Sequence, residues 1–273
     1  MIAVCLKWAD HRPDVDPLTG AVHTDPRSSG ASDADLAALE WALRLAEAWG
    51  DEVVAVTAGP PGADAVLRVA LAVGAGRAVR AGVAADVASE DVAAALVAAL
   101  GVTPAVVVCG AWSVDRGSGS VPAYLAAHLG AAQALGLVSM TIGAGPGELQ
   151  AERRLDGGRR ERLRVPTPAV LSVEGGSAPL RRAPLGGVLR ARAAAIRAYP
   201  VAPPAHREGP VRVAPYRPRP RLLAAPSGET ARERVLTLTG AMVERRAAQT
   251  LFLPPPDAAR EILDRLRTWG YLQ

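Results

Sequence analysis

Residues 104–129 read PAVVVCGAWSVDRGSGSVPAYLAAHL, and the order of residue types in them sets the fold class. Residues 105–109 are an apolar, Val-rich run too short for a helix, which suits a parallel strand buried on both faces and ending at Gly110. A polar loop follows, Asp115-Arg116-Gly117-Ser118-Gly119-Ser120, and then a helical pattern with Val121, Leu125 and Leu129 on one face. Ser120 stands where a serine caps a helix start, and Pro122 is tolerated in a first turn whose N–H groups lack intrahelical partners. Such N–H groups attract anions. Gly117 and Gly119 let the backbone approach closely, and Ser118 and Ser120 offer hydroxyls, so strand, loop and helix start make a candidate phosphate cradle. The same residues suit an ordinary capped βα loop whose serines serve only the backbone, and the loop alone leaves both readings open.

Around that stretch lies a chain of 273 residues, 49% of them hydrophobic, enough for a sizeable core in one large or two small domains. No window of about twenty uninterrupted apolar residues occurs, and residue 1 leads straight into an apolar strand without a basic leader, so a cytoplasmic protein is expected. Cys5 and Cys109 both fall in buried-looking strands, as reduced core thiols rather than a disulfide or a metal pair. His11, His23, His128 and His206 show no ligand spacing, and no metal site is expected. The net charge of +4 is unevenly spread: acidic residues dominate the first hundred positions, arginines crowd residues 153–221, and Lys7 is the only lysine. With 4% aromatic residues and no nucleic-acid-binding motif, nucleic acid is not expected as a partner, whereas a basic face for an acidic protein stays open.

The remaining elements alternate. Residues 2–6 read as a first buried strand, and residues 10–32, rich in Asp, Pro, Gly and Ser, as a long irregular excursion. Ser32 or Asp33 then caps a helix carrying Leu36, Leu39, Leu43 and Ala46, stopped by Gly50. Strands over 53–56 and 77–80 and helices over 64–73 and 86–100 follow. Such alternation predicts right-handed βαβ crossovers and an open parallel sheet flanked by helices, with ligands at the carboxyl ends of the strands. Beyond Leu129, an apolar strand over 134–142 precedes a hairpin of residues 149–155 and 160–165 around Asp156-Gly157-Gly158, and residues 168–173 return as a buried strand. A short helix is expected over 188–198. Residues 200–226, rich in Pro and Arg, read as an extended arm, and helical patterns over 229–249 and 257–269 end the chain. The expected domains are a nucleotide-binding α/β domain at 1–198 and, at 199–273, an arm with C-terminal helices that contact a partner.

Most of the chain resembles an electron transfer flavoprotein beta subunit. Ala151-Glu152-Arg153-Arg154-Leu155-Asp156-Gly157-Gly158, with Glu161, Leu163, Pro168, Val170, Leu171 and Ser172, fits that family's long signature position by position. Val4-Cys5-Leu6-Lys7 resembles its first strand, Trp41-Ala42-Leu43-Arg44-Leu45 and Ala70-Leu71-Ala72-Val73-Gly74-Ala75 its early helices, and Cys109-Gly110 with Asp115 to Val121 its nucleotide loop. The resemblance stops near Ala198 and returns in the last residues.

The resemblance implies an α/β sheet of the adenine-nucleotide alpha-hydrolase-like, flavodoxin-like kind with an added β-hairpin, and an electron-carrier subunit without catalytic residues of its own. It implies a heterodimer in which the alpha subunit carries the redox FAD and this chain buries a structural AMP or, as in bifurcating relatives, a second FAD. Cys5 would line the adenine pocket through its backbone, Ser32 would stand at the Asn of an Asn-Pro motif, and Ala58 would close the adenosine side. Asp115, Gly117, Ser118, Gly119, Ser120 and Val121 would hold the phosphate. Leu185 would present an exposed leucine for partner docking, and Arg154 stands where relatives carry a glutamate that pairs with the alpha subunit. An acyl-CoA-type or other flavin dehydrogenase is the implied electron donor and a membrane quinone oxidoreductase the implied acceptor. Three departures are visible: Ser32-Asp33-Ala34-Asp35 lacks the Asn-Pro-aromatic pattern, Arg116 replaces a small or acidic residue, and Ser120 replaces a Gln. A stand-alone adenine-nucleotide-binding module and a scaffold with a vestigial pocket are the competing classes.

Overall fold

The computed structural model describes residues 1–84, 87–145, 148–201, 225–240 and 250–272. The chain divides into two compact units, Met1–Tyr216 and Arg217–Gln273. In the first, strand β1 (Ile2–Cys5) leads through four two-residue strands, β2 (Ala9–Asp10), β3 (Asp14–Val15), β4 (Val22–His23) and β5 (Ser29–Gly30), to helix α1 (Asp33–Trp49). Then follow β6 (Val53–Gly59), α2 (Asp64–Val73), β7 (Arg77–Gly82), α3 (Ser89–Leu100), β8 (Val106–Gly110) and α4 (Val121–Leu129). Strands β9 (Ala132–Ile142), β10 (Leu149–Arg154), β11 (Arg160–Val165) and β12 (Ala169–Val173), helix α5 (Leu185–Ala193) and strand β13 (Arg197–Pro200) complete it.

Among the described residues, nine strands form one sheet in the order β11-β10-β9-β12-β8-β1-β6-β7-β13. Pairing is parallel except where β10 runs antiparallel to β9 and β11, so the fold is the expected α/β class with its hairpin. Ile2, Ala3 and Val4 are fully buried, as a central strand covered on both faces must be. Helices α1 and α2 bring Leu39, Leu45 and Leu67 to one face; α3 and α4 bring Leu96 and Leu125 to the other.

Four local expectations are corrected. Residues 10–32 are ordered rather than irregular: β2 pairs with β5 and β3 with β4. The buried Asp10 carboxylate ties this segment together, accepting from Ser28 Oγ at 2.6 Å, Asp25 N at 2.7 Å and Arg12 N at 2.9 Å. These donors, Ser28 foremost, hold its carboxyl below the usual range. The helix expected over 188–198 is α5 (Leu185–Ala193), and within it Gly187 lies so close to the Ala72 carbonyl of α2 that a β-carbon has no room. Residues 197 and 198, expected to end that helix, belong instead to β13, which joins the sheet edge beside β7, and Pro200 is tolerated because an edge strand leaves its missing N–H unneeded. The helix expected over 86–100 starts at Ser89, with Asp86 outside the described residues.

In the second unit the described elements are α6 (Ala231–Thr239), ended by Gly240, and α7 (Pro255–Thr268), with Pro254 as its N-cap and Pro255 and Pro256 in its first turn. The arm expected over 200–226 and the helical pattern beyond 240 lie largely outside the described residues. No described helix is long and apolar enough to cross a membrane.

One segment fastens the sheet to its helical layer. After β12, Arg181 bonds Glu40 at 3.0 Å and also Glu47, both on α1, while Trp41 Nε1 donates to Ser177 Oγ at 3.2 Å. Burial by itself would raise the Glu40 carboxyl, but hydrogen bonds from Arg181 and Arg44 outweigh it and hold Glu40 below the ordinary value of 4.5. Arg181→Ala leaves a buried carboxylate with one cation and is expected to cost about 1–3 kcal/mol in urea unfolding at pH 7. Because a depressed carboxyl stabilises above its unfolded value and loses that contribution as pH falls, the gap to wild type should narrow below 4.5. Equal unfolding midpoints at pH 7 would sink this account of the fastening.

Candidate functional site

From β1 the chain steps through β6 to β7 on one side and then returns to place β8 on the other side of β1, so the strand order reverses between β1 and β8. Ligands of open α/β sheets sit at such a reversal, beyond the carboxyl ends of the strands. A cleft of about 780 Å³, its open mouth included, lies there. Its floor is Cys5, Ala58, Cys109 and Gly110; its walls are Val92 and Leu96 of α3 and Val121 and Pro122 of α4; the loop residues Trp112, Ser113, Arg116, Ser118 and Gly119 rim it.

The loop is held by named contacts. Lys7 Nζ reaches Ser113 Oγ at 3.2 Å and the Asp115 carboxylate at 2.7 Å, and Arg116 Nη1 donates to Val87 O at 2.6 Å across the mouth. Partial burial works to raise the Asp115 carboxyl, yet Lys7 and Ser113 prevail and hold it below the usual range. Gly117 N donates to Ser113 O at 2.9 Å. Gly119 has φ +58°, and a β-carbon on it would stand 2.6 Å from the Ala111 carbonyl oxygen, so both backbone conformation and space demand glycine. Among the described residues the N–H groups of Ser118, Gly119 and Ser120 have no hydrogen-bond partner, which leaves consecutive donors at the start of α4.

Ser120 departs from its expected role. Its backbone is already helical (φ −86°, ψ −23°), so its hydroxyl does not cap α4 and instead lies 3.0 Å from Ser118 Oγ. The serine that does cap is Ser32. Its Oγ accepts from Asp35 N at 3.1 Å, while the Asp35 carboxylate accepts from Ser32 N at 3.3 Å, a capping box that starts α1.

The structure brings Cys5, Ala58, Ser118, Gly119 and Val121 together around the cleft. Asp115 faces a second cavity of about 1020 Å³ that shares Ala58 and Arg116 with the first. Ser32, Gly117 and Ser120 do not line the cleft. Leu185 is 75% exposed at the start of α5, and Arg154 pairs with Glu174 within the chain, both away from the cleft. Sequence reading missed Asp35, Lys7 and Arg116 as cleft residues. Asp35 read only as part of a helix start, and nothing in a linear pattern marks a capping carboxylate as facing a cavity.

Asp35 is 5% exposed. Burial pushes its carboxyl up to about 6 although Ser32 and the Lys7 N–H donate to it. A carboxyl raised in the fold stabilises fully below its unfolded value of 3.8 and loses that contribution as pH climbs through about 6. Relative to wild type, Asp35→Asn is therefore expected to gain up to about 3 kcal/mol in unfolding free energy between pH 4 and 7. A difference between the two proteins that stays flat over that range would show Asp35 to be solvated.

With this geometry in place, comparison with known proteins gives a consistent answer. Residues 21–204 match the model of the electron transfer flavoprotein domain. The chain is 33% identical to Protein FixA of Rhizobium meliloti (strain 1021) over 201 residues, 70% of this chain and 68% of that one. It is 30% identical to Protein FixA of Azorhizobium caulinodans over 206 residues, 71% of this chain and 73% of that one. The family match spans the glycine loop, the hairpin and every strand of the large sheet except β1, and the chain belongs to the electron transfer flavoprotein family as a beta-subunit member with a role in electron transfer.

Proposed function

We propose that this chain is the nucleotide-holding beta subunit of a heterodimeric electron carrier, and that an adenine mononucleotide, AMP, occupies the cleft between β1 and β8. The observation that carries this reading is the run of unpartnered N–H groups at Ser118, Gly119 and Ser120, beside a glycine that admits no side chain, at the start of α4. Val92, Leu96 and Val121 offer apolar walls to a purine, and Lys7 neutralises the Asp115 carboxylate that would otherwise repel a phosphate. Bound, AMP supplies no redox chemistry; it fills the cleft and stabilises the folded subunit by mass action. The redox FAD belongs in this reading to an alpha partner, which takes electrons from an acyl-CoA-type or other flavin dehydrogenase and passes them to a membrane quinone oxidoreductase. No residue here is assigned a catalytic role. The exposed Leu185 supports docking to such proteins, whereas Arg154, engaged by Glu174, needs no acidic counterpart on the partner.

A second reading rests on the adjoining cavity. Because the two cavities share Ala58 and Arg116, a dinucleotide such as a second FAD could span them, with Arg116 beside its linking phosphates. Denaturing the purified chain and chromatographing the supernatant separates the readings. AMP is expected at close to one per chain; FAD from this chain alone would favour the second; neither, from a folded preparation, would overturn both. Gly119→Ala should cut the nucleotide recovered to under about a tenth, since its β-carbon displaces the loop that carries the N–H groups.

Phe252, 93% exposed, and Trp269, Tyr271, Ile262 and Leu263 give the second unit apolar surface that a partner could cover. Truncation after Val201 keeps all nine strands of the sheet, so it should leave nucleotide content unchanged while weakening the complex with the alpha subunit at least tenfold by calorimetry, about 1.4 kcal/mol. A truncated chain that binds the alpha subunit as tightly as the full one would remove this unit from the assembly.

A further inference from the structure

We propose that Cys5 and Cys109 form a two-thiolate binding site for a soft, two-coordinate monovalent cation such as Cu(I) on the floor of the cleft. The site follows from strand register and not from the identity of any nucleotide; because the ion enters through the same cleft, the site is tested on the chain freed of bound nucleotide. Strands β1 and β8 are parallel neighbours, and Cys5 is paired opposite Cys109. Both side chains therefore leave the sheet on one face, the face covered by α3 and α4, and both thiols are free. Each is buried against the protein, at 8% and 4% exposure, yet both line the cleft, so a small ion can reach them without opening the sheet.

Geometry decides what the pair can hold. Side chains that leave parallel strands in register keep roughly the strand spacing of about 4.8 Å between their β-carbons, wider than the roughly 3.8 Å that a disulfide prefers. One atom set between the sulfurs spans that gap with two nearly collinear bonds. Among the described residues no group of three or more His, Cys, Asp or Glu side chains gathers around a common point, so an ion that needs three or four protein ligands is not served here. Two soft donors without a third suit a Cu(I)-like ion. In the binding step two S–H bonds break, two sulfur–metal bonds form and two protons leave, giving a bis-thiolate complex of charge −1. Arg116 and the start of α4 line the same cleft and offset that charge, Lys7 is already balanced by Asp115, and Asp35 is the group that opposes it.

The test uses the full-length chain under anaerobic conditions with Ag(I) as the probe, read by native mass spectrometry and by counting thiols open to a maleimide. One silver per chain with the loss of two protons, and protection of both thiols together, is expected. Cys5→Ser and Cys109→Ser should each weaken silver binding by at least about 100-fold, because the second thiolate adds as an intramolecular ligand. Uptake of two ions per chain with one proton lost for each, or wild-type affinity in either variant, would overturn the proposal. The proton count on the wild-type chain decides the matter even if a variant does not fold.

Discussion

The parallel register that locks β1 between β6 and β8 is the constraint from which the rest of the molecule follows. Ile2 to Cys5 pair residue for residue with Val53 to Val56 on one side and with Val106 to Cys109 on the other, so the three strands run in register, with β6 continuing past Val56 to Gly59 and β8 past Cys109 to Gly110. Each crossover must be right-handed. Steps toward β6 and β7 therefore put α1 and α2 on one face, and the return to β8 puts α3 and α4 on the other. The two sets of connections part above β1 and β8, and the gap they leave is the cleft.

Charge in that cleft is arranged to position backbone rather than to add stability. The Lys7–Asp115 pair is more than a third exposed on both sides, and such pairs contribute roughly 0–1 kcal/mol. What the pair does is fix the loop that carries Gly119, with Arg116 holding the other side through Val87. Asp35 has the opposite character. It starts α1 through its capping box and stays nearly excluded from water, so the same carboxyl serves the helix and sets a pH-sensitive cost. The sheet also grows at both ends: β10 and β11 extend it through an antiparallel hairpin whose Arg and Glu side chains pair across the strands, Arg153 with the facing Glu161 and Arg160 with the diagonal Glu152, and β13 extends it beside β7.

What the sequence by itself determined is the local grammar. The Val-rich run before Gly110, the glycine loop, the leucine spacing of α1 and the Asp156-Gly157-Gly158 hairpin each record whether neighbouring side chains face core or water, and that is enough to read strand, turn and helix. It also marked the start of α4 as the candidate anion site. Only the tertiary structure decided that β8 sits beside β1, that Cys5 faces Cys109, that Lys7 reaches Asp115 across 108 residues, and that Asp35 lines a cavity. It likewise set the bounds of α5, packed Gly187 against the Ala72 carbonyl of α2 and recruited β13 to the sheet edge beside β7. The physical reason is the range of the forces involved: periodicity reports burial within a few residues, whereas register and side-chain partners are set by segments that meet only when the chain has closed on itself.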